Sequence, residues 1–363
     1  MGFSCGIVGL PNVGKSTLFN SLTNSRVMAE NYPFCTVDRN TGTVPVPDPR
    51  LATLAGLVAP RPVVPASMTF VDIAGLIRGA ARGDGLGNQF LAHIQEVDAI
   101  AHVVRCFHDP DVAHVESEVD PVRDVEIIEI ELKLADLETA SRSIDRVRRT
   151  ASSGDKEAAK RLRALERVRD GLERNHGVAD QALPDEDRQS LRDCQFLTDK
   201  PVLFLANLDE DCRKSSRSLH RLRSLADSRS AEVVSICGKV EAEIAELEAG
   251  DRAEFLKELG YDEPGLNRLV RTGYRLLGLH SFFTVGLREA RAWTIARGTD
   301  ASKAAGAIHT DFETGFIRAE VVSFADFAES GGETKAKAAG KWRLEGKDYV
   351  VADGDVIYFR FNV

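Results

Sequence analysis

The chain contains no apolar run that approaches the length of a membrane span, and Met1-Gly2-Phe3-Ser4 passes directly into a strand-like stretch. Neither a membrane-spanning segment nor a secretory leader is expected, so the expected compartment is the cytoplasm. A myristoylation signal is also absent, because Gly6 stands where that pattern requires Ser or Thr. The six cysteines, Cys5, Cys35, Cys106, Cys194, Cys212 and Cys237, form no C-x-x-C pair and have no nearby His cluster. They read as reduced thiols, which argues against a zinc site or a disulfide framework. Positive charge is not in excess either: 47 Lys and Arg against 56 Asp and Glu leave a net charge of −9. That balance argues against a generally basic nucleic-acid binder, although local basic stretches remain open. What is present is ordinary for a globular protein. With 363 residues, 43% hydrophobic and 28% charged, the chain can build two or three domains and a sizeable core.

One stretch organises the rest. Gly9-Leu10-Pro11-Asn12-Val13-Gly14-Lys15-Ser16, followed by Thr17, fits the P-loop pattern G-x-x-x-x-G-K-[ST]. It stands between an apolar strand-like run and a helical pattern, which is the setting the pattern requires. The glycines let successive N–H groups converge on a phosphate, and the helix that follows adds its positive dipole end. Asn12, Val13, Gly14, Lys15, Ser16 and Thr17 are the candidate phosphate-binding residues. Lys15 would reach the terminal phosphates, and the Ser16 hydroxyl would ligate Mg²⁺.

Two further motifs are weak singly and strong at these spacings. Thr36, in the loop Asn31-Tyr32-Pro33-Phe34-Cys35-Thr36, is the candidate hydroxyl for sensing the γ-phosphate through Mg²⁺. Asp72-Ile73-Ala74-Gly75 follows a strand and forms D-x-x-G: the carboxylate supports the metal, and Gly75 offers its N–H to the γ-phosphate. A Gln often follows this motif to orient the attacking water. Here Leu76 stands there instead, so intrinsic hydrolysis should be slow, roughly 10⁻⁴ to 10⁻² s⁻¹. Five glycines between Gly75 and Gly87 suggest a loop that closes on the γ-phosphate.

The base-reading motif of most switch GTPases, N-K-x-D, is also missing. Its four positions are Asn207, Leu208, Asp209 and Glu210. Leu208 removes the cationic stem that covers guanine, and Glu210 displaces the carboxylate by roughly 1.5 Å. Adenine suits backbone contacts instead, offered by Asn207, Leu208 and the segment Ser235, Ile236 and Cys237. ATP should therefore bind at least about tenfold more tightly than GTP. The alternative is that Asp209 slips into the reading position and restores GTP use.

These motifs, together with Cys106-Phe107-His108-Asp109-Pro110-Asp111 leading to His114 and the C-terminal Gly315-Phe316-Ile317-Arg318-Ala319 and Asp353-Gly354-Asp355-Val356, closely resemble the YchF family of Obg-like P-loop ATPases. The likeness runs to the end of the chain. It implies an α/β P-loop G-domain (1–120 and 196–277), an inserted α-helical coiled-coil hairpin (121–195) and a C-terminal α+β ubiquitin-like TGS domain (278–363). It also implies ribosome association, to the large subunit or the 70S particle through the hairpin and TGS domain, by a monomer that needs no membrane. In the family, a His in the loop after the Cys106 strand is the proposed substitute for the missing Gln, and His114 occupies that position. His114, Lys15 and Gly75 are thus the candidate catalytic residues, and Ser16, Thr36 and Asp72 the candidate metal residues.

The residues support the same division. Ile127, Ile130, Leu134, Leu137, Ser141 and Ile144 alternate at spacings of three and four, which predicts a heptad seam. A turn at 152–155 returns the chain into a second helix with Ala158, Leu162, Leu165 and Leu172 on its inner face. Near the tip the hairpin is basic, with Arg142, Arg146, Arg148, Arg149, Lys156, Lys160, Arg161, Arg163, Arg167 and Arg169. This is either a solvated face or a docking surface for RNA or an acidic protein. Beyond residue 278, short strand patterns and a helical pattern at 301–308 predict a small α+β unit with nothing catalytic in it.

The expectation is thus a slow, Mg²⁺-dependent ATPase that uses its bound state to control a partner. Two alternatives belong to other classes: an assembly or regulatory factor whose hydrolysis is incidental, and a nucleotide kinase. Neither the insert nor the C-terminal unit supplies an evident acceptor pocket or lid arginines for a kinase.

Overall fold

The computed structural model describes residues 3–23, 37–38, 40–59, 62–75, 86–151 and 155–362. In chain order β1 (Ser4–Val8) leads through the P-loop into α1 (Lys15–Thr23), followed by β2 (Val37–Asp38) and β3 (Thr41–Pro45). Then come α2 (Pro49–Val58), β4 (Val63–Val64), β5 (Ser67–Asp72), α3 (Leu86–Glu96) and β6 (Ala99–Arg105). Every residue of β6 is buried, as expected of a central parallel strand covered on both faces. The hairpin helices α4 (Pro121–Ala151) and α5 (Lys156–Glu173) precede the short α6 (Asp185–Ser190). The first sheet then resumes with β7 (Val202–Asn207), α7 (Ser216–Ser228), β8 (Glu232–Ile236) and α8 (Gly238–Glu246).

These strands form a seven-stranded sheet in the order β2-β3-β5-β1-β6-β7-β8, parallel from β5 through β8. The order changes direction at β1, so the P-loop leaves the sheet at the switch point where ligands bind in open α/β folds. After α9 (Ala249–Glu258) and α10 (Gly265–Leu276) a second, six-stranded sheet is built from β9 (Leu279–Val285), β10 (Ala290–Ala296), β11 (Phe316–Ser323), β12 (Arg343–Glu345) and β13 (Asp355–Phe361). Its sixth strand is β4, taken from between β3 and β5 and paired in parallel with β10. The sequence gives no sign of that exchange, because two valines pair wherever a free edge meets them. Arg50 on α2 adds a second tie, reaching Asp353 at 3.0 Å, and the Tyr274 hydroxyl of α10 donates to the His280 carbonyl at 3.1 Å.

Local chemistry explains the hairpin ends. Asp120 accepts from the N–H groups of Val122 and Arg123 ahead of α4, where Pro121 takes the first helical position. Asp155 caps α5 through the N–H groups of Glu157 and Ala158. Residues 152–154 of the expected turn fall outside the described residues.

The seam of α4 differs from the heptad expectation. Ile127 and Ile144 are buried, but Ile130 is 48% exposed. The buried stripe instead runs through Val125, Ile128, Leu132, Asp136, Ala140 and Ile144. The physical reason is that the first half of α4 packs on β6 and α7 as well as on α5, so the sheet rather than the partner helix selects its inner face. Asp136 survives in that stripe because its carboxylate accepts from Leu197 N–H at 2.7 Å and from Thr198 N–H and hydroxyl at 2.8 and 2.6 Å.

The basic tip is also less free than its sequence suggests. Lys160, Arg161 and Arg167 pair with Glu186, Asp193 and Asp187. Arg146, Arg149, Lys156 and Arg163 are exposed and unpaired among the described residues. Among those residues no helix is long and apolar enough to cross a membrane.

Candidate functional site

The P-loop is shaped by backbone conformations that side chains resist. Asn12 has φ +60° and Gly14 has φ +96°. A Cβ at Gly14 would lie 2.4 Å from the Asn207 amide nitrogen, so glycine is required there on two counts. Lys15 is buried and its ammonium donates to the Leu10 carbonyl at 2.8 Å. Burial pushes its pKa down, opposed by the nearby Asp72 carboxylate.

At the end of β5, Asp72 accepts from the Ser16 hydroxyl at 3.3 Å through Oδ2, while its buried Oδ1 has no partner among the described residues. Burial raises its pKa, against the pull of Ser16 and Lys15. A buried, unpartnered carboxylate oxygen beside a hydroxyl is the pair of oxygen donors a hard divalent cation would complete. The backbone at Gly75 comes close to both P-loop and lysine: a Cβ there would lie 3.1 Å from Lys15 Nζ and 3.2 Å from Pro11 N.

A cavity of about 480 Å³ opens beside the P-loop, lined among others by Asn12, Gly14, Thr17, Phe107, Leu208 and Cys237. Asn207 ties its two walls together. Its amide donates to the Val13 carbonyl and its carbonyl accepts from Gly238 N–H, both at 2.9 Å. The neighbouring Asp209 also lines the cavity, with its carboxylate held by the Ser215 hydroxyl at 2.7 Å and by the His108 N–H at 3.2 Å. Glu210 is 62% exposed and faces Lys239 at 3.6 Å.

Two family descriptions match the chain: "50S ribosome-binding GTPase" over residues 4–139, and the C-terminal region of YchF GTPases, described as a protein of unknown function, over residues 279–362. The protein named ribosome-binding ATPase YchF from Haemophilus ducreyi is 55% identical over 100% of both chains. That of Bacillus subtilis is 48% identical over 100% of both. The chain belongs to the YchF family. The solved structure titled as the Schizosaccharomyces pombe YchF GTPase superposes with a TM-score of 0.89 at 35% identity, covering 99% of this chain and 98% of that one.

In this YchF chain, the structure brings Asn12, Val13, Gly14, Lys15, Ser16, Thr17, Asp72 and Gly75 to one corner, as the motifs suggest. Thr36 and Leu76 lie outside the described residues. The base-side expectations divide. Asn207, Leu208, Glu210 and Cys237 line the cavity, but Ile236 points into the core, and the Ser235 carbonyl and hydroxyl are occupied by Arg268 and Arg223. The Asn207 side chain braces backbone on both sides.

His114 does not line this cavity. Its ring is 3% exposed, with Nε2 2.9 Å from Asp124 Oδ2 on α4 and Nδ1 accepting from Glu116 N–H at 3.1 Å. That pair of contacts places the proton on Nε2. Asp124 itself has its carboxyl raised by burial, opposed by His114 and Arg123. Motif reading missed Phe107, Val112 and Lys214, which line the cavity from loops without a fixed spacing, and Lys239, which lines it from the first turn of α8. The one available signal was position, since Phe107 follows closely on the end of a buried strand adjacent to β1.

Proposed function

We propose that this chain is a cytoplasmic, monomeric, ribosome-binding ATPase that hydrolyses Mg²⁺–ATP slowly. Its YchF relatives are named ribosome-binding ATPases, and the one observation that favours adenine over guanine is that the Asp209 carboxylate at the base cavity is already engaged by Ser215 and the His108 backbone, while Glu210 faces Lys239. The relatives' names differ on this point, because the fission-yeast protein is called a GTPase. Asp209 has its carboxylate engaged by Ser215 and the His108 backbone, so the paired N–H groups of guanine would have to compete with both; Glu210 faces solvent and Lys239. The site lacks the polar pairing on which strong guanine discrimination rests.

Ser16, Asp72 and Thr36 would hold the metal, which supplies charge neutralisation across the β- and γ-phosphates. Lys15 exchanges the Leu10 carbonyl for phosphate oxygens, and the P-loop N–H groups fix the triphosphate. Gly75 N–H meets the γ-phosphate. His114 orients the attacking water once it leaves Asp124, so hydrolysis is slow at rest. The large subunit or the 70S particle is engaged through the hairpin tip and the C-terminal unit, which we assign as a TGS domain. Over the chain we assign 1–120 and 196–277 to the nucleotide unit, 121–195 to the hairpin and 278–363 to the C-terminal unit.

Calorimetric titration tests the nucleotide assignment: ATP should bind at least about tenfold more tightly than GTP, a difference of about 1.4 kcal/mol. Equal or tighter binding of GTP would falsify it.

A further inference from the structure

We infer that Arg105 is a positioning residue that shapes the wall of the nucleotide-base cavity from behind, without touching the nucleotide. The inference rests on the reading that this cavity receives adenine.

Arg105 is the last residue of β6 and is only 2% exposed. No carboxylate lies within hydrogen-bonding distance of its guanidinium among the described residues. Asp109, Asp124 and Asp209 act on it only at longer range, and burial depresses its pKa. A buried guanidinium without an ion-pair partner is an expensive feature that needs compensation. Its donors go to backbone instead: Nε to the Phe107 carbonyl at 3.3 Å, Nη2 to the Asp109 carbonyl at 3.0 Å and Nη1 to the Val112 carbonyl at 2.9 Å. The guanidinium carbon also sits 4.3 Å from the centre of the Phe107 ring.

The loop from 107 to 113 has neither helix nor strand to set its course. It is wound around one planar fork of donors, a geometry that lysine cannot reproduce. Four of its residues line the base cavity, namely Phe107, His108, Asp109 and Val112. Three of these are the residues whose carbonyls Arg105 holds. The fourth, His108, is fixed by its N–H to Asp209. At the far end, the Asn12 amide of the P-loop donates to the Ala113 carbonyl at 3.2 Å. Arg105 itself does not line the base cavity but a second one of about 580 Å³, which shares His108, Asp109 and Val112 with it. It therefore acts on the base only through Phe107 and the backbone it organises.

The test compares ATP with inorganic tripolyphosphate, which engages the P-loop and lacks a base, by calorimetry in the presence of Mg²⁺. The wild type, Arg105→Met and Arg105→Lys are measured. Arg105→Met should weaken ATP by about tenfold, as expected when a base–aromatic contact is displaced, and leave tripolyphosphate within about twofold of wild type. Arg105→Lys, which keeps the charge but not the fork, should fall between. Parallel weakening of both ligands would mean a merely structural role and would overturn the inference, as would unchanged ATP binding. If Arg105→Met does not fold, Arg105→Lys decides by the same comparison. A wild type that binds ATP no more tightly than tripolyphosphate would instead remove the base cavity itself from nucleotide binding, a failure that the wild-type data alone reveal.

Discussion

Releasing His114 from Asp124 should accelerate hydrolysis. The His114–Asp124 contact is 2.9 Å long and both side chains are 3% exposed, so it is a buried, charge-assisted hydrogen bond. Such bonds contribute about 1.5–3 kcal/mol, and a ring that must leave one before reaching the γ-phosphate is competent only about once in 10 to 150 molecules. Asp124→Ala removes the acceptor and should raise basal kcat by about tenfold or more. Asp124→Asn keeps a neutral acceptor of roughly half the strength, so its gain should be smaller. His114→Ala should lower kcat markedly with ATP affinity nearly unchanged. Adding Asp124→Ala to it should then change nothing, because the two substitutions act through one contact. Single-turnover phosphate release, with ATP affinity and thermal unfolding measured alongside, reads all four variants. Folded Asp124→Ala protein with normal ATP affinity and an unchanged or reduced rate would refute the reasoning, as would an unaltered rate in His114→Ala.

Asp136 should make stability fall with rising pH. Burial pushes its carboxyl from 3.8 to about 6, so its contribution is complete below pH 3.8 and is lost as pH rises through 6, a change of up to about 3 kcal/mol. Asp136→Asn should be less stable than wild type near pH 5, because its amide must face an N–H or hydroxyl of Leu197 or Thr198, and its denaturation profile should lack this pH component; identical slopes would count against it. On the hairpin, charge reversal at Arg146, Arg149, Lys156 and Arg163 should abolish low-salt co-sedimentation with ribosomes. Reversal at Lys160, Arg161 and Arg167 should instead lower the melting temperature by breaking pairs with Glu186, Asp193 and Asp187. Ribosome binding that withstands the first set and high salt would exclude the tip as the docking surface.

The phosphate corner was readable from residues alone because its chemistry is local. A P-loop is a single turn whose glycines and Lys15 act through adjacent backbone, and Asp72 arrives on a strand whose pattern is plain. Helix periodicity likewise marked the helix at 301–308 with its observed limits. The missing Lys and Asp of the guanine motif were visible at Leu208 and Glu210 for the same reason. What lay beyond the sequence depends on which surface reaches a residue first. Ile130 faces solvent because β6 and α7 claim the inner side of α4, and Val63–Val64 joins the second sheet because β10 offers an open edge. That Ser215 and the His108 backbone hold the Asp209 carboxylate could not be read from its position in the motif. The spacing of His114 cannot show that its ring is engaged on both nitrogens, nor that of Arg105 that three carbonyls converge on it. Those facts arise from loops, where no repeating backbone geometry links position in the chain to direction in space, and only the packed structure decides them.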